Sequence, residues 1–211
     1  MLRTLRNRKG FTLVELAIVL VIIGIILGAV LKGQELVNNA KISRLYNMYR
    51  EMQAAMYTYY DRYGYFPGDD PTANTRSALW AVVGNGDGNG VIATGLVSTP
   101  PNYACAATGT EQCDLWAGLR MANIISGGTT AASGAYRNPT NPFGGAIAIS
   151  YFAYAVAPAI SSNWVHFQNI PPSIAQILDT KYDDGVWNTG DIRASAVYTG
   201  AAPLATLSIR F

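Results

Sequence analysis

This chain is short of the residues on which most catalysis and nucleic-acid binding depend. Of 211 residues only 13% are charged, one is histidine and two are cysteine. No proline stands before Pro67. The single histidine, His166, sits in an apolar strand-like run (NWVHFQ) and reads as a packed residue rather than a base. No serine lies in a Gly-x-Ser-x-Gly elbow, and no glycine-rich loop carries a phosphate-binding lysine. The sequence therefore predicts a protein that is not an enzyme. Two cysteines without neighbouring histidine ligands make a poor zinc site. Lys and Arg number 15 against 13 Asp and Glu, but four of the cations, Arg3, Arg6, Arg8 and Lys9, fall in the first nine residues. The rest of the chain carries 11 cations and 13 acids, a balance of −2, so nucleic acid is not an expected partner.

What is present is a long apolar run. Phe11 to Leu31 (FTLVELAIVLVIIGIILGAVL) holds a single charge, Glu15. About 20 apolar residues suffice for a helix to cross a bilayer. The four cations ahead of the run, with no acid among them, hold the leader in the cytoplasm and predict export of everything after Leu31. A secretory signal has a shorter apolar region and a small-x-small cleavage site. A plain single-pass anchor would explain the length of the run but not how it begins.

That beginning is a basic leader ending in Gly10, followed by Phe11, Thr12, Leu13, Val14, Glu15 and Leu16. It resembles the prepilin signature shared by type IV pilins, type II secretion pseudopilins and DNA-uptake pilins. The resemblance implies that a membrane peptidase cuts between Gly10 and Phe11, that the same enzyme N-methylates Phe11, and that subunits polymerise through the apolar helix with Glu15 as an assembly residue. The implied partners are homologous pilin or pseudopilin subunits, the prepilin peptidase, an inner-membrane assembly platform and membrane lipid. The implied location is the bacterial inner membrane, single-pass, with the leader cytoplasmic and the head periplasmic, and then a periplasmic or extracellular filament. Lys32 stands where many major subunits carry proline, which favours a minor subunit. The strings YFPGDD (65–70) and WAGLRMANII (116–125) are met in pseudopilin-like heads.

Beyond Leu31 the helical pattern continues. Leu36, Val37, Ala40, Leu45, Met48, Met52, Ala55, Met56, Tyr59 and Tyr63 recur at steps of three and four, up to a natural stop at Gly64. The expected divisions are a cleaved leader (1–10), a membrane and assembly helix (11–31), the amphipathic continuation of that helix (32–64) and an exported head (65–211). Gly24 and Gly28 form a small-xxx-small pair that admits a neighbouring helix, or are simply tolerated in a membrane helix. The tyrosines from Tyr46 to Tyr65 read as half-buried packing, not as a conductive stack.

In the head, Thr75–Val83 reads as a short helix with Thr75 as its cap, and Asp114–Ile125 as a second helix capped by Asp114. A third helix runs from Pro171 to Tyr182, presenting Ile174, Ile177 and Leu178. Ala146–Val156, Trp164–Phe167, Arg193–Tyr198 and Leu204–Phe211 read as strands. The fold class is α+β: a long N-terminal helix packed on a small head with an antiparallel sheet. In an exported protein, Cys105 and Cys113 favour a disulfide over two free thiols.

No cofactor is required, but two acidic loops invite calcium. Asn85, Asp87 and Asn89 in GNGDGNGVI mimic the opening of an EF-hand loop, although Leu96 occupies the place of its closing acid; the alternative is a glycine-rich turn. Asp183, Asp184 and Asp191 cluster around a second turn, together with Asp179, as calcium ligands or solvated acids. A membrane-anchored, calcium-dependent adhesin or binding module at a filament tip is the alternative to a structural filament subunit.

Overall fold

The computed structural model describes residues 10–155 and 159–211; the basic leader and Val156, the expected end of the first strand, lie outside the described residues. Helix α1 runs without a break from Leu13 to Tyr63. It ends where expected. Gly64 adopts φ +80 and its N–H donates to the Tyr60 carbonyl at 2.7 Å, a left-handed stop that a side chain would strain. The chain divides into two compact units, Met1–Lys41 and Ile42–Phe211.

In the first unit the described apolar side chains of α1 are exposed, including Leu36 and Val37, which the periodicity had placed on a packed face. In the second unit Ile42, Leu45, Met48, Met52, Ala55, Met56 and Tyr59 are buried, at the spacing of a single helical face. Packing on the head therefore begins at Ile42. The tyrosines of this segment are structural. Tyr46 stacks on Tyr182 with centroids 3.6 Å apart, and the Tyr49 hydroxyl donates to the Arg210 carbonyl at 2.8 Å.

The head holds helices α2 (Glu111–Met121) and α3 (Pro172–Tyr182) and strands β1 (Ile147–Tyr154), β2 (Ile160–Phe167), β3 (Ile192–Ala194) and β4 (Leu207–Arg210). All pairings are antiparallel, in the order β1-β2-β4-β3. The register places Ile147 and Ile149 opposite Phe167 and Val165, these opposite Leu207 and Ile209, and these opposite Ala194 and Ile192. All eight are buried, forming one continuous apolar face.

Several local expectations give way to tertiary structure. Thr75–Val83 is not a helix but two 3-10 turns, Ala73–Thr75 and Ala78–Val82, with Leu79 exposed. Asp114 is not a cap: α2 starts at Glu111, with Thr110 in the cap position. Asp114 instead accepts from the amides of Gly84 (3.0 Å) and Gly109 (3.1 Å). In α3, Ile174 and Leu178 are buried but Ile177 is exposed. Every residue of α2 from Glu111 to Arg120 is buried, so this helix lies in the middle of the head rather than on its surface. Arg120 donates to the carbonyls of Ala135 and Arg137, fastening the glycine-rich segment 127–145. Cys105 and Cys113 form a disulfide, their Cα atoms 5.2 Å apart. So short a loop contributes about 2–3 kcal/mol in the chain-entropy account.

The other face of the sheet carries a buried polar ladder. His166 lies between Ser150 Oγ (2.9 Å from Nε2) and Ser208 Oγ (2.7 Å from Nδ1), and Tyr154 donates to the same Ser208 oxygen at 2.7 Å. Burial pushes the imidazole down to about 3 from its ordinary 6.5. The folded state therefore stays neutral at a pH where the unfolded chain takes up a proton. Stability should fall below pH 6.5 by about 1.4 kcal/mol per pH unit from this group. All four tryptophans (Trp80, Trp116, Trp164, Trp187) lie beyond Ile42, so their fluorescence reports on the head even when the full chain is held in detergent. The melting midpoint so measured should drop on acidification, and His166→Gln should flatten that drop. An unchanged slope in the variant would place its source elsewhere.

Candidate functional site

Among the described residues, chemistry-bearing side chains come together at two acidic groups in the head and at the start of α1. In the head, the turn after α1 approaches the first turn of α2 through a glycine. Gly68 has φ +89, and a Cβ there would stand 2.2 Å from the Glu111 carbonyl oxygen. The next two residues, Asp69 and Asp70, are both fully buried but serve different partners.

Asp70 accepts from the Thr72 amide and hydroxyl (each 2.9 Å), from the Tyr59 hydroxyl (2.9 Å) and from Arg76. Arg76 also lies over the rings of Tyr63 (4.1 Å) and Trp80 (5.0 Å). Burial alone would raise the Asp70 carboxyl, but the Thr72 amide, Arg76 and Tyr59 hold it below the usual range.

Asp69 turns toward the 84–92 loop. Its oxygens accept from the amides of Asn89 (3.0 Å) and Gly90 (2.8 Å), and burial pushes its carboxyl up. Asp87 accepts from the amides of Asn89 (3.2 Å) and Gly95 (2.7 Å). Glu111 Oε1 accepts from the Asp87 amide at 3.2 Å, whereas Oε2 is buried without a partner. Burial, with Asp87 and Asp69 adding like charge, pushes the Glu111 carboxyl up to about 7. One carboxylate oxygen from each of Asp69, Asp87 and Glu111 lies within 4.8 Å of the others.

The three side chains of the EF-hand-like run, Asn85, Asp87 and Asn89, hold different backbone groups. Asn85 Oδ1 accepts from the Asn74 amide (3.0 Å) and Asn89 Oδ1 from the Val91 amide (2.9 Å), so both asparagines brace backbone. Only Asp87 of that trio joins the carboxylate group. In the second acidic loop Asp183 and Asp184 are brought together with Asp179, whereas Asp191 pairs with Arg210 at 2.5 Å. There Asp179 accepts from Gly185 N and Tyr198 Oη, Asp183 from the Asp191 and Ile192 amides, and Asp184 from Val186 N and Thr189 Oγ1.

The other region is the start of α1. Gly10 and Phe11 precede the helix and are exposed, and a Cβ at Gly10 would touch nothing within 4 Å. Thr12 and Glu15 bond reciprocally. The Thr12 amide donates to Glu15 Oε2 at 2.8 Å, its hydroxyl to the same oxygen at 2.9 Å, and the Glu15 amide to Thr12 Oγ1 at 3.2 Å. This is a capping box, satisfying donors that the helix start leaves orphaned. The Thr-x-x-Glu spacing before an apolar run was the signal for it, although the sequence reading assigned Glu15 to assembly alone. The helix is long and apolar enough to cross a membrane.

Residues 5–31 match the model of the prokaryotic N-terminal methylation motif. The chain carries a prepilin-type N-terminus. It is also similar to the fimbrial protein EcpC of Eikenella corrodens, 34% identical over 99 residues, which is 44% of this chain and 65% of that protein. No solved structure matches. Within the prepilin-type N-terminus, Gly10 is not required by anything packed against it in this chain, and Glu15 is already held by its own helix.

Of the site residues, Asp69 and Glu111 went unrecognised in the sequence because 42 positions separate them. Removing the Asp70 carboxylate would strand the part-buried Arg76 and leave the Tyr59 hydroxyl unpaired. Asp70→Ala should destabilise the head by about 3 kcal/mol or more, seen as a lowered tryptophan-fluorescence melting midpoint. A midpoint within a degree or so of the wild type would show that the network contributes little.

Proposed function

We propose that the chain is a structural subunit of a type IV pilus-like or type II secretion filament, pilin or pseudopilin, assembled through the first half of α1. The observation that carries this reading is the start of that helix. Its described apolar side chains have no cover in their own compact unit, while one carboxylate stands a single turn from the cleavage and methylation position. Such a surface requires lipid before assembly and neighbouring helices after it. The methylation motif and the similarity to a fimbrial protein support the same conclusion. The prepilin peptidase, an inner-membrane assembly platform and homologous subunits are the proposed partners.

Cleavage after Gly10 would leave Phe11 with a terminal amine whose unperturbed pKa is about 7.7–8.0, largely cationic at neutral pH. In a staggered bundle of parallel helices, the Glu15 carboxylate of one subunit meets the Phe11 amine of the next. That pair sets register between otherwise featureless apolar helices. The unbroken passage of α1 through Lys32, where the Lys32–Glu35 pair closes at 2.7 Å, supports a minor rather than a major subunit.

The full-length chain, co-expressed with the peptidase and assembly machinery, should lose its first ten residues and gain one methyl group, read by intact mass. Glu15→Gln keeps a capping-box partner for Thr12 but removes the charge. It should still insert and be cut, yet be depleted at least tenfold from sheared filaments. Wild-type amounts of Glu15→Gln in that fraction would refute the charge-register mechanism. A mature protein still beginning at Met1 would overturn the filament reading itself.

A further inference from the structure

We propose that Asp69, Asp87 and Glu111 form a site for a hard divalent cation of the calcium type, tying the 66–71 turn, the 84–92 loop and the first turn of α2 together. The inference is independent of filament assembly and would hold for the head in any context.

The first observation is convergence. Three carboxylates from three separate stretches of chain bring oxygens within 4.8 Å of one another. Two ligand oxygens on opposite sides of a calcium ion at 2.3–2.6 Å stand roughly 5 Å apart, so this spacing accepts the ion with little movement. The second observation is an unmet need. Glu111, a member of this group, is 6% exposed, and its Oε2 has no hydrogen-bond partner. An unpartnered carboxylate oxygen buried beside two further acids is costly, and a cation answers it directly. Among the described residues, none of the ion pairs joins a lysine or arginine to Asp69, Asp87 or Glu111. The donors are all oxygen, which suits calcium or magnesium rather than a soft metal. A cavity of about 350 Å³ beside the group, lined by Gly84, Asp87, Thr108, Glu111 and Asp114 among others, leaves room for water to complete the shell.

Within the loop, Gly86 permits this approach. A Cβ at Gly86 would stand 2.3 Å from Asp69 Cα. The second acidic group, Asp179, Asp183 and Asp184, makes the internal control, since it accepts from amides and hydroxyls of the chain and leaves no buried oxygen without a partner.

The test uses the full-length chain in detergent, melted by tryptophan fluorescence in EDTA, magnesium chloride and calcium chloride, the last up to about 10 mM. Calcium should raise the midpoint, as any ligand of the native state does, and magnesium should raise it less. Glu111→Gln should weaken calcium at least tenfold, while in EDTA it melts no lower than the wild type because a buried repulsion is gone. Asp87→Asn, at the exposed ligand, should lose the shift in the same way, and Asp184→Asn should retain it. The site is refuted by a wild-type midpoint identical in calcium and EDTA. It is equally refuted by a calcium shift that survives both Glu111→Gln and Asp87→Asn, or that disappears only in Asp184→Asn.

Discussion

A helix that cannot bury its own apolar surface sets the terms for this protein. From Leu13 to Leu31 the large apolar side chains are exposed on every side of α1. At roughly 1.5–3 kcal/mol for each large side chain left in water, the total far exceeds the marginal stability of any domain. No rearrangement of a small head could cover it. The surface has to be met by lipid or by other copies, and the same helix has to change character before it meets the head. It does so at Ile42, where one face becomes buried at three- and four-residue steps and the opposite face turns polar with Arg44, Asn47 and Glu51.

The head answers a different constraint, how to order long glycine-rich connections around a single small sheet. Its solution is a central helix, buried from Glu111 to Arg120, whose polar residues reach outward to hold loops. Arg120 grips the carbonyls of Ala135 and Arg137, Asp114 the amides of Gly84 and Gly109, and Glu111 the amide of Asp87. Each bond gives a buried polar group its partner and fixes a segment with no regular structure of its own. Among the described residues, Glu111 Oε2, Trp116 Nε1 and Arg120 Nε stay buried without a partner, and of these only the Glu111 oxygen is an acceptor that a cation could meet.

The sequence made legible whatever is local and periodic. The apolar run, the helix stop at Gly64, the strand through Ile147–Tyr154 and the disulfide follow from period, punctuation and compartment, which need only neighbours along the chain. What was not legible depended on contacts across the chain. Thr75–Val83 has helical composition but yields to 3-10 turns, and Asp114 resembles a cap because caps and loop anchors draw on the same residue types. The Asn85, Asp87, Asn89 spacing suggested ligands in sequence, whereas Asp87 gathers with Asp69 and Glu111 through the close approaches at Gly68 and Gly86. No periodicity encodes such a meeting.

The capping box changes how Glu15 should be understood. A lone carboxylate in an apolar helix looks like pure cost, retained only for a partner subunit. In this chain both bonds from Thr12 fall on Oε2. The charge is thus half satisfied by its own helix start, and the helix gains satisfied donors in return. Oε1 remains available, so an amine from a neighbouring subunit can be accepted without breaking the box. Under the proposed charge-register mechanism, one residue would then serve both states, capping the free subunit and setting register in a filament. Proline at the first turn could start the helix and a longer apolar stretch could insert it, but neither would offer an acceptor to a neighbouring amine.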